Sequence, residues 1–189
     1  MDAIISVPVS EDAAPKYRQD PLWVRLQQFV LDDAESALPF SLRLARDNGW
    51  SRHYAGWVIA EYKKFCYLAL KSGGEVTPSD AVDQAWHLHL IYTKSYWDEF
   101  CGQVLRRPLH HNPTRGGKAQ GERFRDQYSG TLDLYISVFG TPPPEDIWPA
   151  VDARFASASA FRRIDTTLSW ILPKPPLRFW PRCGSRASS

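Results

Sequence analysis

The chain has 189 residues, 43% of them hydrophobic and 13% aromatic, which is enough to bury the core of one domain with ragged ends. Its three cysteines, Cys66, Cys101 and Cys183, form no CxxC pair, which argues against a disulfide framework and for a reducing, cytoplasmic setting. Formal charge is +2 but uneven: residues 1–102 hold 10 Lys/Arg against 14 Asp/Glu and the rest is basic, without the stripe of cations and stacking aromatics that nucleic-acid binding uses.

Residues 1–19 read as a flexible N-terminal segment. Asp2, Glu11 and Asp12 stand where a signal peptide would be positive, and Ser6 and Pro8 break the apolar run Ala3 to Val9, so no secretion signal is expected. No apolar stretch reaches the roughly 20 residues of a membrane helix, so no span is expected. Asp20-Pro21 starts a helix, with Leu22, Leu26, Phe29 and Val30 at helical spacing, that should run to about Glu35. Pro39 opens a second, with Phe40 and Leu44 inward, and Asn48-Gly49 stops it. Ser51 caps a third, central helix whose stripe is Tyr54, Trp57 or Val58, Tyr62, Phe65 and Leu68 or Ala69, ending after Lys71 at Gly73-Gly74.

Thr77-Pro78-Ser79-Asp80 reads as N-cap, first-turn proline and capping acid of a fourth helix, with Val82, Ala85, Trp86 and His89 on one side. The alternation of Trp86, Leu88 and Leu90 with His87 and His89 also fits a strand, but the helix start favours the helical reading. Thr93 caps a following helix to about Leu105, or continues the fourth through a kink. Pro108 to Gly117 is a loop by its Pro, Asn and Gly content. From Glu122, Phe124, Tyr128, Leu132, Tyr135 and Phe139 keep a helical stripe up to Gly140. The expectation is therefore an all-α domain of about six helices over residues 20–140, followed by a Pro/Arg-rich linker and irregular tail over 141–189.

Site chemistry is concentrated between Thr77 and Gly117, where four of the five histidines form the pairs His87/His89 and His110/His111. Residues two apart on a helix point about 200° away from each other, so His87 and His89 cannot both face one metal on a regular helix. His89 shares the apolar side and suits a hydrogen-bonded core histidine. His87 lies four residues after Asp83 and seven after Asp80, on a face where a carboxylate and an imidazole meet. If the loop brings His110 or His111 over that face, a two-histidine, one-carboxylate set forms, of the kind that binds zinc or non-haem iron with open positions. In the competing reading Trp86, His87 and His89 only pack, and the loop histidines return hydrogen bonds to the backbone. His53 has no acid or thiol nearby in sequence and reads as a surface residue.

The run Val82 to His89 (VDQAWHLH) resembles the glycine-rich domain-containing protein family of plants and its bacterial relatives. The matching positions are Tyr62, Phe65, Pro78, Asp83, Trp86, His87, His89, Tyr96 and Cys101, so the likeness covers roughly residues 51–112. The chain lacks the plant proteins' glycine-rich tail, and its Arg107-Pro108-Leu109-His110-His111 loop looks like the bacterial branch, where the likeness reaches Asp146-Ile147-Trp148-Pro149. The resemblance implies a helical fold and no particular reaction.

Other chemistry reads weakly. Cys101 sits among Trp97, Phe100 and Leu105, a setting for a packed rather than a nucleophilic thiol. Thr114 to Lys118 lacks the full phosphate-loop pattern. Pro173, Pro176 and Arg178 have the spacing of a PxxPxR ligand for an SH3-type groove, a route to a protein partner, and Arg178, Phe179, Trp180 and Arg182 could touch a membrane surface. The expected function is a helical binding or scaffold module holding one divalent metal, Zn or Fe, at Asp83, His87, His110 and His111, supported by Trp86, His89, Asp80 and Tyr96. The alternative is a metal-dependent enzyme using the same residues.

Overall fold

Short-range signals set most helix ends in the computed structural model, which describes residues 16–73, 75–112 and 118–156 together with Leu168, Trp170 and Leu172. Asp20 accepts a hydrogen bond from the Leu22 N–H at 2.8 Å, and Pro21 takes the first position of α1 (Pro21–Gln28). Gly49, at φ 68°, closes α2 (Phe40–Asn48) in the left-handed conformation that glycine adopts without a Cβ penalty. Ser51 caps α3 (Arg52–Lys71) through the Tyr54 N–H, and Ser79 caps α4 (Asp80–Ile91) through the Val82 N–H. Ser95–Leu105 winds as a π-helix, then come α5 (Lys118–Phe139) and the short α6 (Val151–Phe155). No strand occurs among the described residues, and the fold is all-α. None of the described helices is long and apolar enough to cross a membrane.

The core forms around α3, which packs on α1, α2, α4 and α5. Its buried face carries Ala55, Val58, Tyr62, Phe65, Cys66 and Leu68, and Trp57 is the exposed alternative to Val58. Burial of each large apolar side chain contributes about 1.5–3 kcal/mol relative to exposure. Glu61 on the same helix is a buried carboxylate, matched by Lys64 Nζ at 2.8 Å, Tyr135 hydroxyl at 3.3 Å and Trp148 Nε1 at 2.9 Å. Each of its carboxylate oxygens has a donor, as a buried polar group requires.

Several expectations shift. α1 ends at Gln28 rather than near Glu35, because Phe29 leaves the helix at ψ 124° and turns its ring onto His89 and Phe100, while Lys63 Nζ takes the freed carbonyl of Phe29 at 2.6 Å. Val30 is exposed. The cap of α4 is Ser79 and not Thr77, whose N–H donates to Thr131 on α5, while the Pro78 carbonyl accepts from Arg154. α4 and the π-helix are separated at Tyr92, so they are not one kinked helix. α5 begins at Lys118, earlier than Glu122.

The largest correction concerns the expected boundary at residue 140. Ile147 and Trp148 are 1% and 2% exposed, Trp148 lies near-parallel to Tyr128, and α6 packs on α5. The segment that reads as linker and tail supplies core aromatics because Glu61 needs the Trp148 N–H. At the other end, Lys16–Gln19 forms a 3₁₀ turn whose Tyr17 packs against Trp23 and Phe139, so the start of the described chain is anchored. The chain divides into a compact unit ending at Ala158 and a second over Ser159–Ser189, of which Leu168, Trp170 and Leu172 are described and exposed. Pro173, Pro176, Arg178, Phe179, Trp180, Arg182 and Cys183 lie outside the described residues, as do Thr114 to Gly117 and the side chain of Lys118.

Candidate metal centre

The core fixes the rotation of α4 about its axis. Val82, Ala85, Trp86 and His89 are buried, so Asp83 and His87, one turn apart, stand on the outer face. His89 is 0% exposed, with Nδ1 3.0 Å from the Tyr62 hydroxyl and Nε2 3.4 Å from Ser95 Oγ, ringed by Phe29, Phe40, Tyr96 and Phe100. Burial holds its pKa down to about 3, so it is a neutral core imidazole. Of the pair on α4, His87 faces out and His89 faces in.

The loop after the π-helix returns over the outer face through a relay of hydrogen bonds. Trp86 Nε1 donates to the Tyr96 hydroxyl at 2.9 Å, and that hydroxyl donates to the Leu109 carbonyl in a short bond. Burial raises the Tyr96 pKa, so the hydroxyl keeps the proton it donates. The Leu109 backbone also faces the Cys101 thiol and works against the rise in pKa that burial gives it. The carbonyl of Leu109 is thus held by the π-helix, two residues before His111.

His111 then lands on α4. Its Nε2 is 2.8 Å from Asp83 Oδ1, and its ring centroid is 4.4 Å from that of Trp86 and 4.5 Å from that of His87. His87 Nε2 is 3.8 Å from Asp83 Oδ2. One ligand atom from each of Asp83, His87 and His111 lies within 4.8 Å of the other two, with side-chain exposures of 25%, 51% and 18%. Two atoms each bound about 2.1 Å from one cation stand about 3.0–3.4 Å apart at octahedral or tetrahedral angles, so side-chain rotations closing the widest separation by about 1.4–1.8 Å would seat an ion.

The other expected residues fall elsewhere. His110 is exposed, with its ring 5.6 Å from that of Trp97, outside the Asp83–His87–His111 group. Asp80 pairs with Arg154 at 2.7 Å and steadies the start of α4, one turn before Asp83. Trp86 and Tyr96 hold the loop, and His89 holds α4 to the core. Cys101 is buried and its thiol pushed up by that burial, the state of a packed residue rather than a nucleophile. Cys66 is likewise free, buried and raised. His53 packs on exposed Trp57, with ring centroids 4.4 Å apart.

Sequence reasoning missed Arg154, which binds Asp80 and the Pro78 carbonyl and lies over the Tyr128 ring. No local signal marked it, because its hydrogen-bond and ion-pair partners, Pro78 and Asp80, are more than seventy residues away. It also missed a cavity of about 670 Å³ beside the group, between the segment before α4, the loop at Leu109 to Asn112, and α5. Asp83 and His111 line that cavity.

A family model described as UCP032817-like matches residues 40–127, a little under half of the chain. The match runs from the start of α2 to the middle of α5 and so takes in Asp83, His87, His111 and the relay that places the loop. No curated protein and no solved structure matches the chain. What the chain is similar to is therefore a family whose description carries no activity.

Proposed function

We propose that the protein is a helical binding module that holds one divalent metal ion, zinc or iron, through Asp83, His87 and His111. The observation that carries the reading is the approach of three ligand atoms, from two separate segments, to within 4.8 Å of one another. Two imidazoles and a carboxylate suit a borderline cation. Binding would need His111 to present a bare Nε2, so the proton it now shares with Asp83 would be lost or moved to Nδ1. The ion would tie α4 to the loop after the π-helix, which is a scaffolding role. His110 is omitted from the ligand set.

The test is elemental analysis by mass spectrometry of untagged protein purified without added metal or chelator. Near-stoichiometric zinc or iron is expected, lost with a drop in melting temperature in His87→Ala and in His111→Ala, and kept in His110→Ala. Protein that is metal-free as purified, and whose melting temperature does not rise with added Zn²⁺ or Fe²⁺, would overturn the reading and leave the Asp83–His111 hydrogen bond as a loop anchor.

A second reading, a metal-dependent enzyme, is favoured by the ligand count. Three protein ligands leave coordination positions for water or substrate, and the group borders a cavity. We also propose kinship with the glycine-rich domain-containing family, on the strength of the Trp86-His87-Leu88-His89 motif, and a cytoplasmic setting, on the strength of two free buried thiols.

A further inference from the structure

Resting on the metal reading above, we infer that the cavity beside Asp83 and His111 binds a small organic carboxylate with an apolar body. The carboxylate oxygens take the ion's remaining positions and the body lies along the cavity wall. A volume of about 670 Å³ suits one small molecule. Phe65, Val76, Trp86, Leu109, Phe124 and Phe155 give the cavity its apolar lining. Its charged side chains, apart from the histidines, are Glu75, Asp83, Arg123 and Arg154, which balance.

The two cations on the wall are already engaged. Arg123 is paired with Glu75, and Arg154 with Asp80 and the Pro78 carbonyl. A divalent ion at Asp83 would thus add the cavity's net positive charge, at one end only. That arrangement favours a single anionic group with an apolar remainder over a polyanion such as a nucleotide, whose phosphates would need several unengaged cations. A carboxylate is the oxygen ligand that matches zinc or iron in one or two positions.

The test uses the full chain loaded with Co²⁺, titrated with 3-phenylpropanoate, propanoate and 3-phenylpropanamide, and followed by the visible cobalt spectrum. Both acids should perturb the spectrum and the amide should not. The aryl acid should bind at least about tenfold more tightly than propanoate, reflecting partial burial of the ring. Phe124→Ala, or Val76→Ala if the first variant folds poorly, should reduce most of that advantage while leaving cobalt stoichiometry and propanoate binding unchanged. Equal affinities for the two acids, or a full advantage retained in both variants, would overturn the inference while the metal reading stood. Failure to take up Co²⁺ at all would overturn the metal reading and this inference with it.

Discussion

Replacing Tyr96 with phenylalanine removes one oxygen atom, and the structure says what that atom does. The Tyr96 hydroxyl accepts from Trp86 Nε1 at 2.9 Å and donates to the Leu109 carbonyl. Trp86 and Tyr96 are buried, so the indole N–H loses its partner without access to water, at a cost of about 1–3 kcal/mol. Leu109 is half-buried and its carbonyl can recover a water, which adds about 1 kcal/mol or less. A loss of about 1–4 kcal/mol lies within the stability of an ordinary domain, about 5–15 kcal/mol, so the variant should fold. Metal affinity should fall about 10- to 100-fold, the usual effect of losing a group that orients a ligand, because Leu109 lies two residues before His111. It should not vanish, since His111 still lies within hydrogen-bond distance of Asp83. Urea unfolding of the metal-free protein and competition against a chromophoric chelator measure the two quantities separately. Unchanged affinity beside a clear stability loss would show that the hydroxyl holds the helices together and does not place His111.

Two further substitutions probe the core that carries the site. His89, held down to about 3 by burial, stays neutral in the folded chain while the unfolded chain protonates near its usual value of about 6.5; stability should therefore fall as pH drops between those values, by up to about 1.4 kcal/mol per pH unit, and level off below the lower one. His89→Gln should flatten that part of the profile in urea midpoints taken from about pH 4 to 7, and an unchanged slope would mean the fall comes from other groups. Trp148→Phe keeps an aromatic ring but removes the 2.9 Å bond to Glu61, leaving a buried carboxylate short of a donor; a loss of about 1–3 kcal/mol in urea unfolding is expected, and a change below about 0.5 kcal/mol would show that Lys64 and Tyr135 suffice.

Where a feature depends on neighbours in sequence, it was legible. Asp20-Pro21, Ser51, Asn48-Gly49 and Gly140 mark helix ends, and the apolar faces of α2, α3 and α4 follow from period alone. The opposed directions of His87 and His89 followed from helix geometry before any packing was known. Features set by distant partners were not legible. α1 stops early because Phe29 finds His89 and Phe100, and Lys63 finds the carbonyl. The stretch after Gly140 has no period, so it reads as tail, yet Trp148 is placed by Glu61, 87 residues away. Of the loop pair, sequence could not choose between His110 and His111; the choice is made by Tyr96 gripping the Leu109 carbonyl.

That grip bears on what a metal would do to this fold. In small metal-dependent domains the ligands have no fixed positions until the ion binds, and the binding energy is the folding energy. Here two of the proposed ligands, Asp83 and His87, are fixed by a helix whose inner face is sealed by Val82, Ala85, Trp86 and His89, and the third, His111, is brought within hydrogen-bond distance of Asp83 by contacts that involve no ion. The three side chains of the proposed site are thus gathered without an ion, and small rotations are all that its binding would require. The ion would then add stability by mass action alone, about 4 kcal/mol when free metal exceeds the dissociation constant a thousandfold, on top of a core that already folds. Chelated protein should still unfold in one cooperative step at a lower midpoint, and the exposed edge at His87 gives a metal, or a ligand displacing water from it, a path in without unfolding.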